Sequence, residues 1–276
     1  MSIKQKILNS RPAQGQAALF YLGQETILIK AAGKYILFDP YLDDYVDRNF
    51  STEAVVWKRN YPSPIDPHEL DFIDYVFCSH AHGDHTDPET LSAIAAASPN
   101  ALFAGGKPVC EVYRTACAIP EERILRLRAD QPTQLCAGVS VTAIPAAHEE
   151  LHPDGEGSFN ELGFIVQIDG LRFCHAGDCC PYDGLIERLQ GVDVAFLPIN
   201  GRDYFRLSKN IIGNFDSAEA VAIAKQAGIP LLIPLHFDLY DVNCVNPAHF
   251  VDVLKKLSPA QRFHIFAPGE KYLFEK

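Results

Sequence analysis

Four side chains able to hold a metal, His80, His82, Asp84 and His85, fall within six consecutive residues directly after the apolar run Phe72 to Cys78. The run is rich in strand formers (Ile73, Tyr75, Val76, Phe77), so the histidines should stand where a strand ends and a loop begins. In an extended or gently turning segment, residues two apart point the same way. His80 and His82 can therefore grip one cation while a turn at Gly83 directs Asp84 and His85 to a second. Mixed imidazole and carboxylate ligation suits zinc or manganese, and also iron. A solvated loop or a hydrogen-bonded core is the usual setting of a lone histidine, but it accounts poorly for four ligand types at this spacing.

Composition narrows the rest. With 276 residues, of which 47% are hydrophobic, the chain can bury a large core, and it reads as one domain spanning 1–276. A net charge of -11, from 24 basic and 35 acidic residues, disfavours nonspecific binding to nucleic acid or an anionic membrane. A small-molecule partner is expected, with homo-oligomerisation left open. The N-terminus lacks the apolar segment of a secretion signal and no stretch has the length of a membrane span, which points to the cytoplasm. In that compartment the eight scattered cysteines should be free thiols, Cys179 and Cys180 included.

Along the chain, residues 17 to 42 read as three strands with turns at Gly23 and Gly33, the last strand closed by Asp39. Residues 43 to 68 hold Tyr45, Phe50, Trp57 and Tyr61 among several prolines without clean periodicity, and suit either a pocket wall or a self-packed surface insertion. Asp87 and Pro88 form a helix start, and strand and helix then alternate to about Ile144, with His148 just beyond that strand. Asp169-Gly170 marks a hairpin between Glu161–Gln167 and Leu171–Cys174, whose second strand runs into His175 and Asp178. Asp178 suits either a ligand or a helix cap. By strand alternation His175 points away from a ligand position and should be packed or stand behind the ligands as a supporting contact. A buried-type strand at Val192–Pro198 leads into the Asn200–Asn214 loop, Asp216 caps a helix ended by Gly228, and His236 follows the strand Leu231–Leu235. A helix at Pro247–Leu257 and a closing strand at Phe263–Phe266 complete the reading.

His80, His82, Asp84 and His85 meet in full the His-x-His-x-Asp-His signature of the metallo-β-lactamase superfamily, which this chain resembles. The segments Tyr21–Ile29, Ile36–Leu42, Pro198–Tyr204 and Asn210–Asn214 resemble the branch containing L-ascorbate-6-phosphate lactonases. The resemblance covers the chain from about residue 20 onward. It implies an α/β fold, the αβ/βα four-layer sandwich. It also implies two divalent ions, one held by His80, His82 and His148, the other by Asp84, His85 and His236, with Asp178 bridging. His152 competes with His148 for the third position, and proximity to the strand favours His148.

Two such ions lower the pKa of a shared water and polarise the substrate, so a metal-bound hydroxide can attack without a serine or cysteine nucleophile. Asp84 would orient that hydroxide and pass a proton to the leaving oxygen. The lactonase resemblance implies a lactone of a sugar-acid-like, phosphorylated or unphosphorylated metabolite, with Asn200, Arg202, Tyr204 and Asn214 near it. This chain departs from those enzymes in the residues between its ligands and in length. A phosphodiesterase of the same fold and a di-iron redox protein are the alternatives. For an anionic substrate, Arg202 would lead a basic clamp with Arg206 and Lys209, unless these cations pair with Asp203 or Asp216.

Overall fold

The computed structural model describes residues 1–276. Its first half runs α1 (Ile3–Asn9), β1 (Gln16–Gly23), β2 (Thr26–Ala31), β3 (Lys34–Phe38), α2 (Tyr45–Phe50), β4 (Tyr75–Cys78), α3 (Pro88–Ala97), β5 (Leu102–Gly105), α4 (Lys107–Thr115) and β6 (Ile124–Arg126). The second runs β7 (Pro132–Cys136), β8 (Val139–Pro145), β9 (Leu162–Ile168), β10 (Leu171–His175), α5 (Leu185–Leu189), β11 (Val194–Pro198), α6 (Tyr204–Leu207), α7 (Ser217–Ala227), β12 (Leu231–Leu235), α8 (Pro247–Leu257), β13 (Arg262–Phe263) and β14 (Lys271–Glu275). The strands form two seven-stranded sheets, ordered β14-β1-β2-β3-β4-β5-β6 and β13-β12-β11-β10-β9-β8-β7.

Burial on both faces of the central strands explains the layering. Tyr75 and Phe77 of β4 meet Phe164, Phe173 and Phe196 in the core between the sheets, while Val76 and Cys78 face Leu91, Ile94 and Tyr113 of α3 and α4. In the second sheet, Cys174, Leu197 and Leu232 pack against Leu185, Val221 and Phe250 of α5, α7 and α8. Strands covered on both sides read as continuous apolar runs, and the result is the αβ/βα four-layer sandwich. Truncating a side chain such as Phe77 to alanine would cost about 3–5 kcal/mol.

Local chemistry sets the ends of the elements. Asp87 accepts hydrogen bonds from the Glu89 and Thr90 amides at the start of α3, with Pro88 in its first turn. Asp216 and Glu219 form a capping box on α7, and Gly228 ends it at φ 69°. Asp169 and Gly170 take φ 53° and 77°, the left-handed pair that a tight hairpin requires.

Two regions add to or depart from expectation. The last predicted strand shortens to Arg262–Phe263, and β14 instead pairs antiparallel with β1, Gln16 opposite Glu275. Residues 43 to 68 hold α2 and a short 3-10 turn. All eight cysteines are unpaired, and no helix is long and apolar enough to cross a membrane.

Candidate metal centre and cavity

The loops that leave β4, β8, β10 and β12 converge at one edge of the sandwich and bring together His80, His82, Asp84, His85, His148, Asp178 and His236. The first loop turns tightly, the His85 and Thr86 amides both donating to the His82 carbonyl at 3.1 and 2.8 Å. A side chain at Gly83 would crowd the Tyr45 ring, 3.1 Å from the added carbon. Gly177, at φ 59°, lets the strand end before Asp178 abut this loop, since a Cβ there would fall 2.4 Å from that of Ser79. His236 itself adopts φ 56° and Asp39 φ 40°, strained values for residues with side chains, held by the surrounding contacts.

Ligand atoms group within 4.8 Å of one another as His80/His82/His148, His80/His85/Asp178 and Asp84/His85/His236. A tetrahedral ion with bonds of about 2.0–2.1 Å spaces its ligands about 3.4 Å apart. Asp178 Oδ1 lies 3.4 Å from both His85 Nε2 and His236 Nε2, and Asp84 Oδ2 lies 3.6 Å from each. On the other side, His82 Nδ1 is 3.0 Å from His80 Nε2 and 3.1 Å from His148 Nε2. His148 Nε2 is in turn 3.8 Å from Asp178 Oδ2. His85 Nε2 and Asp178 Oδ1 are buried and lack any hydrogen-bond partner, as two atoms aimed at a common cation would. The residues present therefore have the donor types and spacing of a metal centre, with Asp178 between its two sides.

Supporting contacts orient the rings. His85 Nδ1 donates to Asp39 at 2.8 Å, and Asp39 also accepts from the Ser79 amide and hydroxyl at 2.7 and 2.6 Å. The same hydroxyl lies 3.0 Å from His80 Nδ1. Locking the outer nitrogen of an imidazole aims the inner one at the metal. Gln24, absent from the sequence-derived set, reaches in from the β1–β2 turn. Its amide nitrogen donates to Asp84 Oδ2 at 2.9 Å and lies 3.1 Å from His236 Nε2. The only signal the sequence offered was a polar side chain in the strand-end turn Gly23-Gln24-Glu25; its burial came with the fold.

Burial first, and then the neighbouring histidines, hold the His80 pKa well below its usual value, and burial brings His148 down to about 4. Burial also opposes charge on His85 and His236, but Asp178 and Asp84 outweigh it and raise both. Burial likewise works against ionised Asp178 and Asp84, yet the surrounding histidines hold both below the ordinary carboxylate range. Ionised carboxylates beside buried imidazole nitrogens form a mixed oxygen and nitrogen donor set that a divalent cation accepts.

His175 is packed rather than grouped with the seven. It stacks on Phe38, with ring centres 5.1 Å apart, and Nε2 donates to the Glu25 carbonyl at 2.8 Å. Beside it the Glu25 carboxyl has no hydrogen-bond partner, and burial, then the charge of Asp178, raises its pKa well above the ordinary range. His152 points elsewhere, its Nδ1 3.1 Å from Glu161.

Above the centre lies a cavity of about 700 Å³ that exposes His82, Asp84, His148, Asp178 and His236. Residues 43 to 68 supply one of its walls, through Val46, Phe50, Val55 and Trp57. None of the four expected substrate contacts lines it. Arg202 instead makes two 2.6 Å hydrogen bonds to Glu219, a partner that only folding brings to it. Tyr204 is 86% exposed on the outer surface. Asn214 and Asn200 are buried behind the cavity, Asn214 donating to Asn200 at 3.0 Å and Asn200 to Asn243 at 3.1 Å. Of that amide chain, Asn243 alone reaches the cavity. Arg206 is buried and bound to Asp203 and Asn243.

A family model described as the Beta-lactamase superfamily domain matches residues 34–237. A UPF0173 metal-dependent hydrolase of Caldivirga maquilingensis is 26% identical over 258 residues, covering 91% of this chain and 96% of that protein. One from Pelotomaculum thermopropionicum is 30% identical over 258 residues, with the same coverage of 91% and 96%. Among solved structures, the metallo hydrolase Igni18 from Ignicoccus hospitalis superposes with a TM-score of 0.68 at 21% identity. That match covers 95% of this chain and 99% of Igni18, and it speaks to the fold.

Proposed function

The chain belongs to the β-lactamase superfamily, among its metal-dependent hydrolases, and on that premise we propose that it is a binuclear enzyme that opens a lactone ring. One observation carries the binuclear reading: Asp178 turns Oδ1 to His85 and His236 and Oδ2 to His148. Zinc or manganese suits these nitrogen and oxygen donors. When bound, the ions supply Lewis-acid activation of water and of the substrate carbonyl.

The chain's own residues do the rest. Asp84 makes its protein contacts through Oδ2, where Gln24 fixes it, and Oδ1 is left to the cavity. That oxygen takes a proton from the attacking water as the new carbon–oxygen bond forms. It returns the proton to the ring oxygen as the acyl–oxygen bond breaks. Asp39, through His85, and Ser79, through His80, keep the imidazoles in position.

The choice of a lactone rests on the resemblance of the segments within 21–29, 36–42, 198–204 and 210–214 to L-ascorbate-6-phosphate lactonases. The phosphorylated-sugar part of that resemblance lacks support from Arg202, which faces Glu219. The test is reconstitution with zinc or manganese, metal analysis, and assay of lactones against bis-p-nitrophenyl phosphate. Two equivalents of metal with lactone opening is the expected result. Less than one equivalent sinks the binuclear reading, faster phosphodiester cleavage makes the protein a phosphodiesterase, and bound iron with oxygen consumption makes it a redox protein.

A further inference from the structure

The cavity above the metal centre has two apolar walls and a single lysine, whose ammonium is bonded to the protein backbone. One wall carries Phe50, Val55 and Trp57, the other Ile211 and Ile212. The Ser51 hydroxyl closes the first wall on itself, accepting from the Trp57 amide and donating to its carbonyl, both at 3.0 Å. Lys209, the only lysine or arginine lining the cavity, donates to the Ala54 carbonyl at 2.9 Å and lies over the Phe205 ring, 5.2 Å from its centre. It joins the two walls. Arg202 and Arg206, the other cations of that segment, are held by Glu219 and Asp203.

The apolar character continues outward. Of the nine large hydrophobic side chains that are exposed, six (Phe50, Val56, Tyr204, Phe205, Leu207 and Ile212) lie on segments 50–57 and 204–212, which build these walls. Phe50 and Ile212 of this group line the cavity, and clustered exposed apolar side chains are a mark of contact surfaces, ligand grooves among them. Away from the metal centre, between these walls, the one lysine or arginine that a terminal phosphate or carboxylate would meet is Lys209, whose ammonium is already bonded to the Ala54 carbonyl, on a chain of net charge -11.

We propose that the part of the substrate that does not react is an uncharged hydrophobic group, an alkyl or aryl substituent several carbons long, lodged between the Phe50–Trp57 and Ile211–Ile212 walls. This rests on the hydrolase reading for the bond that breaks, but not for the binding itself. Trp57 is the single tryptophan of the chain and lines the cavity, so its fluorescence reports occupancy directly.

The experiment titrates metal-loaded protein with N-alkyl-2-pyrrolidinones, from methyl to octyl, following Trp57 emission. These lactams mimic the ring and resist hydrolysis. Affinity should rise about fourfold per methylene until the cavity is filled. A lactam of equal length ending in a carboxylate should bind about tenfold more weakly or worse than its neutral counterpart. Ile212→Asn, at a position 40% exposed and so tolerant of change, should flatten the chain-length dependence. A flat series in the unaltered protein, no binding at all, or tighter binding of the carboxylate overturns the proposal. Steep length dependence without lactone opening sustains it while removing the lactonase reading. Lactone opening with a flat series does the reverse.

Discussion

Asp84 and Asp178 play different parts in one cluster because their oxygens meet different neighbours. Asp178 is 5% exposed and turns both oxygens to imidazoles, whereas the Asp84 side chain is 20% exposed and keeps one oxygen towards the cavity. Asp84→Asn should therefore leave the fold intact, judged by circular dichroism, and lower kcat about a hundredfold or more, the usual contribution of a positioned proton acceptor. Near wild-type turnover would move that role to another residue. His175→Asn is the contrasting case: a fully buried ring that stacks on Phe38 and bonds Glu25. It should keep its metal and lose about 1–3 kcal/mol of stability in urea unfolding. Loss of metal at unchanged stability would place His175 among the ligands instead. His80, His82, Asp84 and His85 were legible because their spacing after an apolar run has few other uses, whereas His148, Asp178 and His236, each just past a predicted strand, were singled out by the family resemblance. The partner of Arg202 was not legible for a physical reason: Glu219 stands in the first turn of α7, and nothing local announces that pairing.

At the scale of elements, the cavity wall is pinned at both ends by a pair of tyrosines sharing a carboxylate. Tyr41 and Tyr240 hydroxyls are 2.6 Å apart, and Tyr240 donates to Asp47 at 2.9 Å. At the other end, Tyr21 and Tyr61 both donate to Asp238, at 2.8 and 2.7 Å. Between these anchors runs the stretch that carries Phe50, Val55 and Trp57, with Trp57 set edge-on to Tyr240, 5.1 Å between ring centres. Tyr240→Phe leaves Tyr41 and Asp47 without a shared partner. It should cost about 1–2 kcal/mol in chemical denaturation and raise KM for an alkyl lactone with little change in kcat. A fall in kcat at constant KM would mean that the anchor acts on the metal centre. Caps, hairpin and helix boundaries were readable because their hydrogen bonds join residues two to four apart, as in Asp87 with Glu89 and Thr90. The tyrosine anchors join residues about 200 apart, Tyr41 with Tyr240, so the sequence left open whether this stretch was a wall or a surface insertion.

For the molecule as a whole, the position of the cluster ties metal to stability. His80, His82, Asp84 and His85 follow β4 of one sheet, while His148, Asp178 and His236 follow β8, β10 and β12 of the other. Ions bound there would cross-link two sheets that already share a 28-residue core and are each backed by a helical layer with its own buried cluster. The alternation of apolar strands and helices foretold those layers, but the pairing of β14 with β1 could not be read from strands about 250 residues apart. Because apolar burial holds the sheets together without metal, the apo protein should remain folded. Because an ion binds the native arrangement and has no preformed site in the unfolded chain, each should add RT ln(1 + [M]/Kd), about 2.7 kcal/mol at a hundred times Kd. For a chain of this size that corresponds to a Tm lower by about 5–10 °C per site after chelation, with circular dichroism at 20 °C unchanged. Calorimetry of the chelated protein against protein reloaded with stepwise zinc checks this. Collapse of the fold on chelation would make the metal structural, and a Tm indifferent to zinc would mean that the seven side chains hold no ion.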